Sequence, residues 1–205
     1  MKTQIVTIFA ALVLSTGIAA TSYAAAPADN GSYTVLTDVS AINKIEVRGN
    51  VELYISDGAA DQVKVYNKYY AESALVQSKN GVLSIASYKA EKLVVWVTAN
   101  DLRSVSAYDN ADVKSFGDLS KIEFNVDLHN NSSANLNIDA YSASLTVADN
   151  AKASLSGAAD EYTLKYSNAA NINQNDFVTV NASKTLTTVA TKAPVVAGLD
   201  DLADL

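Results

Sequence analysis

Residues 104–186 repeat one short phrase: an apolar pair spaced two apart, a polar corner, then a further apolar residue. The pairs are Val105/Ala107, Val126/Leu128, Leu145/Val147, Leu164/Tyr166 and Val178/Val180, recurring at nearly constant spacing until the last, which comes early. The corners read Asp109-Asn110, His129–Ser133, Ala148–Asn150, Ser167–Ala170 and Asn181–Lys184, and the apolar residues after them are Val113, Leu136, Leu155, Ile172 and Leu186. Repetition at about 20 residues predicts stacked rungs, because one such unit cannot bury its apolar side alone. Equivalent residues of successive rungs then lie about 4.8 Å apart, valine on leucine inside and corner on corner outside. An Asn suits a corner because it accepts left-handed dihedrals, and its amide can bond to the matching amide of the next rung, as in the Asn ladders of stacked sheets. An antiparallel β-sandwich, with turns about every 8–12 residues, is the competing architecture, but it does not require pairs and corners to recur together in one order. The expectation is an all-β, parallel β-solenoid-like stack over residues 93–188.

The preceding part alternates too. Ile45 and Val47, then Val51, Leu53 and Ile55, then Val63 and Val65 occupy every second position, as in strands with one buried face. Arg48–Asn50 and Ser56–Asp61 supply the breaks, and Asn80-Gly81 is a hairpin signal. Leu93–Val97 is a solid apolar run, which predicts a strand covered on both faces. Tyr70–Val76 is the one candidate for a helical turn. These opening strands fit either a sandwich or a lead-in to the stack.

Lys2, an apolar run Ile5–Ala20 and the small-residue pattern Ser22–Ala24 predict a secretory signal peptide over residues 1–24. No Cys follows that run, so lipid attachment at an N-terminal Cys is not expected, and no later stretch reaches the ~18 apolar residues of a spanning helix. Pro27 and Pro194 are the only prolines, and one domain is expected over residues 32–189, with 190–205 as a C-terminal cap or tail. Of 15 basic residues Lys2 alone lies in the signal segment, and all 22 acidic residues follow it. A surface of that sign repels phosphate backbones, which argues against nucleic acid as a partner. Cys is absent and the only Met is the first residue, so stability must come from burial and hydrogen bonding without disulfides.

The stretches Ile42–Asn67, Leu75–Ser87 and Leu93–Ser115 resemble the head GIN domain of auto-transporter adhesins. Val95, Val97, Leu102, Val105, Ala107, Asn110, Ala111 and Val113 fill that family's spaced pattern, with Asp109-Asn110 where Gly is common. The resemblance covers about Ile42–Leu186. It implies an exported, right-handed parallel β-helix-like domain of a bacterial envelope, with no catalytic residues to carry over.

The chemistry-bearing residues point the same way. His129 is the only His, which rules out a triad or a two-His metal site and reads as a solvated turn residue. Asp109, Asn110, Asp112, Asp149 and Asn150 could gather oxygens for calcium, but the glycine-rich nonapeptide of calcium-binding solenoids is missing and a structural corner is the preferred reading. Arg48 and Arg103 are the only arginines, and neither sits among clustered acids as a β-helix lyase would need. Trp96 is expected in the core. Tyr69 and Tyr70, beside a break, are the candidate contact surface. No catalytic residue, cofactor or metal is expected. The leading expectation is a non-catalytic envelope protein, in the periplasm, at the surface or secreted, that binds a surface, glycan or protein partner. The alternatives are a self-associating homo-oligomeric module and a carbohydrate-active enzyme.

Overall fold

The computed structural model describes residues 33–36, 39, 41–66 and 74–187. The expected signal segment, the C-terminal cap or tail, and Tyr69 and Tyr70 lie outside them. Alternation of side chains across a strand sets the whole pattern. Strands run in order as β1 (Thr34–Leu36), β2 (Lys44–Gly49), β3 (Val51–Asp57), β4 (Gln62–Val65), β5 (Ala74–Lys79), β6 (Val82–Ser87) and β7 (Leu93–Ala99). They continue as β8 (Ser104–Tyr108), β9 (Asp112–Ser115), β10 (Leu119–Leu128), β11 (Ser133–Val147), β12 (Lys152–Tyr166) and, after a 3-10 turn at Ala169–Asn171, β13 (Ile172–Leu186). The fold is all-β.

Successive passes of the chain pair in parallel. Val126 of β10 stands between Val105 of β8 and Leu145 of β11, and Leu145 meets Leu164 of β12. The opening strands join the same ladders: Ile45 of β2 pairs with Val105 and with Leu83 of β6. On the other side of the corner, Leu53 of β3 pairs with Val95 of β7 and Val113 of β9, and Val113 continues to Ala134, Ala153 and Ile172. Among the described residues the antiparallel pairs are β1–β4, β4–β7 and β5–β6, at the edges of the ladders. Both columns face inward, and every member up to Leu164 and Ala153 is buried. Sandwich geometry, with two facing antiparallel layers, is absent from the described residues.

The corners turn through left-handed backbone at equivalent places: φ is 61° at Asp109, 59° at Asn130 and 56° at Asp149. Each passes a hydrogen bond to its neighbour. The Asp109 N–H donates to Asn130 Oδ1 (3.2 Å), Asn130 N–H to Asp149 Oδ2 (2.9 Å) and Asp149 N–H to Ser167 Oγ (3.1 Å). The corners therefore bond to one another through a backbone N–H and a side-chain oxygen, not amide to amide as the expected Asn ladder would.

Four further expectations change. Leu164 is followed in its column by Lys184, whereas Val178 pairs with Ala158, so Val178/Val180 is not the fifth copy and Asn181–Lys184 is strand, not corner. Val178 and Val180 point outward, 69 % and 74 % exposed. The last rung has no neighbour beyond it among the described residues, so its inward positions are free of the apolar rule and the next apolar pair misleads. Secondly, Val113 aligns with Ala134, Ala153 and Ile172, while Leu136 pairs with Leu155 and Leu186 with Tyr166. Small alanines fill the inside just after a tight corner, and a search for large apolar residues passes over them. Thirdly, Ala74–Lys79 is strand β5, hairpinned to β6 through Asn80-Gly81 as expected, so Ala74–Val76 is not helical. Fourthly, β7 buries Leu93, Val95 and Val97 on one face only.

Candidate functional site

The outward positions of β4, β7, β3, β9, β11, β12 and β13 form one continuous row. Register places Lys64 opposite Trp96, Trp96 opposite Tyr54, Tyr54 opposite Lys114, then Asn135, Ser154 and Asn173 in succession. Six strand-to-strand steps make the row roughly 30 Å long. None of its members is buried.

One end of the row is aromatic. Trp96 packs between Tyr54 (centroids 5.2 Å apart, planes at 32°) and Phe116 (4.9 Å, 49°). Phe116 follows β9 and is 62 % exposed. At the edge, Tyr33 and Tyr66 lie 5.1 Å apart with the Lys64 ammonium 5.6 Å from the Tyr33 ring. Tilted ring pairs at these distances hold one another in place, so the platform is preorganised. Trp96 is thus an outward residue, half-covered by its aromatic neighbours, not a core residue.

Charges sit between the rings and are already matched. Lys114 Nζ lies 2.5 Å from Glu52 Oε1 and 5.5 Å from the Tyr54 ring centroid, and the Tyr54 hydroxyl donates to the same Glu52 oxygen at 3.0 Å. The Lys114 ammonium holds the Glu52 carboxyl below the usual carboxylate range, and Glu52 raises Lys114 in return. Burial opposes the Asp112 charge, but Lys92 and the Ser133 hydroxyl outweigh it and keep that carboxyl low. The other end of the row is amide and hydroxyl. Asn135, Asn137 and Ser156 border a shallow recess of about 270 Å³ whose far wall is Tyr54, Lys114 and Phe116. Within it Asn137 N–H donates to Ser115 Oγ at 2.8 Å. Rings, matched charges and amides along one flat face can stack on a flat apolar ligand face and hydrogen-bond its polar rim. A small substrate would find no enclosure there.

The remaining sequence candidates lie elsewhere. His129 lies in its corner, half-buried: its ring stacks on Tyr108 (4.9 Å, 5°), and the Arg48 guanidinium lies over the Tyr108 ring at 3.9 Å. Arg103 is ion-paired to Asp101 at 2.6 Å. Asp109 accepts from the Tyr88 hydroxyl and Asp112 pairs with Lys92. Among the described residues no three His, Cys, Asp or Glu side chains gather as a metal group. No described helix is long and apolar enough to cross a membrane. Sequence reasoning missed Tyr54, Trp96 and Phe116 as a set. Tyr54 and Trp96 do alternate with buried residues on either side, the signal that could have found them, but only register brings them together.

No curated protein matches the chain. Solved structures do, at low identity, and they show the fold alone. A "putative adhesin" from Parabacteroides distasonis ATCC 8503 superposes with a TM-score of 0.60 at 17% identity, over 78% of this chain and 80% of that one. A "putative adhesin" from Parabacteroides merdae ATCC 43184 gives 0.52 at 13% identity, over 77% and 78%. A "Putative lipid binding protein" from Parabacteroides distasonis ATCC 8503 gives 0.51 at 12% identity, over 77% and 79%. The family described as "Putative auto-transporter adhesin, head GIN domain" matches residues 41–193. With that match spanning most of the sequence and every strand from β2 to β13, the chain belongs to the head GIN domain family of auto-transporter adhesins.

Proposed function

We propose that the protein is a non-catalytic, exported binding module of a bacterial envelope that holds a glycan against the row from Lys64 to Asn173. The observation that carries this reading is the run of Trp96, Tyr54 and Phe116 into Asn135, Asn137 and Ser154 on one outward face. Sugar rings have apolar faces that stack on aromatics and hydroxyl rims that need amide and hydroxyl partners. Shallowness favours a chain lying along the surface over a small molecule held inside. Glu52 and Asp112 are tied to Lys114 and Lys92, which leaves no free carboxylate pair across the recess for acid–base work on a glycosidic bond. Family membership supports adhesion and export to the envelope, periplasmic, surface-bound or secreted. The parallel ladders, in which each pass of the chain lies on the one before, support a right-handed parallel β-helix, since parallel crossovers are right-handed in about 98% of cases.

The test is a glycan array with the purified chain lacking residues 1–24, repeated with Phe116→Ala and Asn135→Ala. Binding to a defined glycan set that both substitutions weaken is the expected result. Absence of binding, binding that neither substitution alters, or turnover of the bound glycan overturns the reading.

A second reading, self-association, has its own observation. Ile122 of β10, Tyr141 of β11 and Val180 of β13 are 83 %, 61 % and 74 % exposed along one outward line, in which Asp160 of β12 separates Tyr141 from Val180. Sedimentation that finds a strict monomer at high concentration removes it.

A further inference from the structure

The last rung keeps half of its backbone groups free. Along the stack the inward residues Ala107, Leu128, Val147 and Tyr166 accept, through their carbonyls, the N–H of His129, Ala148, Ser167 and Thr187 in the following rung at 2.8 to 3.0 Å. A strand residue sends its N–H and C=O to the same side, and successive residues alternate. Inward residues therefore point theirs to the next rung, and outward residues to the one before. Among the described residues β13 pairs with β12 alone. Its inward residues Phe177, Thr179, Ala182 and Lys184 stand over Gly157, Ala159, Tyr162 and Leu164. Their N–H and C=O groups point out of the stack with no described rung to receive them, and such an edge invites another strand.

The free groups are arranged symmetrically. Ala159 and Tyr162 are buried while Asp160 and Glu161 between them are exposed, so the inward positions change phase at that corner. On β13 the same corner is Val180-Asn181, with inward residues 179 and 177 on one side and 182 and 184 on the other. A half-turn about the point between Val180 and Asn181 lays this edge on itself with its direction reversed. We infer that two copies of the chain meet end to end across such a two-fold axis, residues 177–184 of one β13 pairing antiparallel with 177–184 of the other. The inference rests on the self-association reading and places the contact at the strand edge, not on outward side chains. Thr179 then faces Ala182 of the second copy and exchanges both hydrogen bonds with it, and Phe177 faces Lys184 in the same way. Small Thr and Ala let the backbones meet, and the Lys184 ammonium gains an aromatic face to lie over. Pairing stops short of the irregularity of β13 between Asn173 and Asp176. Other strands fit the edge less well. The opposite end of the stack offers β1, of three residues, and β5, of six, neither with a corner. Copies therefore do not add head to tail, and the contact closes as a dimer. A straight strand from another protein matches one side of the corner and loses the other.

The chain from residue 25 to 205 is sedimented over a concentration series beside Ala182→Pro. Proline there removes an N–H that only the second copy takes, and an edge strand tolerates it. The expected result is a monomer–dimer equilibrium that Ala182→Pro weakens by about tenfold or more, since one hydrogen bond is lost in each symmetric pair. The absence of native cysteine gives a second measurement that does not depend on how the proline variant folds. Outward Val178 and Ser183 face each other across the axis, so Val178→Cys/Ser183→Cys should oxidise to a disulfide-linked dimer. Val178→Cys/Ser144→Cys, whose second cysteine lies two rungs back on the same face as Ser183, should not. A strict monomer overturns this inference and the self-association reading together. A dimer that a folded Ala182→Pro leaves intact, or in which the two cysteine pairs react alike, overturns the edge contact alone and leaves the line of Ile122, Tyr141 and Val180 as the surface of association.

Discussion

The Asn130 backbone N–H donates to the Asp149 carboxylate at 2.9 Å, across the gap between one corner and the next. Asn130 does the same service for Asp109 through its own side-chain oxygen. The Asx residues Asn130 and Asp149 therefore serve twice: each tolerates left-handed dihedrals in its own backbone and accepts the N–H of the corner before it. A residue that can do only one of these weakens two rungs.

Asp149→Ala removes both contributions. It leaves the Asn130 N–H to solvent and forces Ala into left-handed backbone, so stability should fall by about 1–3 kcal/mol. Asp149→Asn keeps an acceptor oxygen and the backbone tolerance and should cost less than half as much. Urea unfolding of both variants checks the order.

Trp96 is the single Trp of the chain, and Phe116 shields it on one side at 4.9 Å. Phe116→Ala should shift Trp96 emission to longer wavelength and increase its quenching by acrylamide. Stability should change by no more than about 0.5 kcal/mol, because Phe116 is largely exposed already. Unchanged emission would mean that the ring pair does not persist in solution.

Glu52 gives the fold an acid-sensitive contact. Its carboxyl is held low by Lys114, so the pair contributes stability above the unfolded Glu value of about 4.3. That contribution disappears as pH falls through the depressed folded value. Glu52→Gln should flatten the decline of Tm below about pH 4.3. At neutral pH it should cost no more than about 1 kcal/mol, since Lys114 is 42% exposed and solvent screens the pair. Thermal melts from pH 2.5 to 7 decide it.

What was legible in the sequence followed from local rules. Alternation at Ile45, Leu53 and Val126 marked strands, Asn80-Gly81 marked a hairpin, and the Asx corners marked left-handed turns. What was not legible depended on register between distant strands. Tyr54, Trp96 and Phe116 come from three separate strand regions and meet only because β3 lies between β7 and β9. Trp96 sits in the apolar run Leu93–Val97, so composition alone placed it inside. Lys184 escaped notice as an inward-column residue because the last rung obeys a different rule from those it covers.

Gly157 lies within β12, with φ at +99°. A Cβ there would lie 2.2 Å from the Ile138 carbonyl oxygen of the neighbouring rung. Backbone on one side and a disfavoured dihedral on the other leave no inexpensive relief. Gly157→Ala should destabilise by about 2–4 kcal/mol. Gly117→Ala, also at positive φ (+79°) but with nothing within 4 Å of its Cβ, should cost about 1 kcal/mol from strain alone. The difference between the two, read from urea midpoints, isolates the steric contact between rungs.

The register of the final rung is open to a comparison of Leu145 with Val180. Leu145 is buried between Val126 and Leu164, so Leu145→Ala should cost about 2–5 kcal/mol through lost burial and a residual cavity. Val180 belongs to an apolar pair of the same appearance in sequence, yet it points outward at 74 % exposure. Val180→Ser should therefore shift stability by no more than about 0.5 kcal/mol. If instead Val178 and Val180 occupied the places after Leu164 and Tyr166, truncating Val180 would rank with Leu145→Ala. Thermal unfolding of the two variants separates the registers, because the expected costs differ by at least threefold.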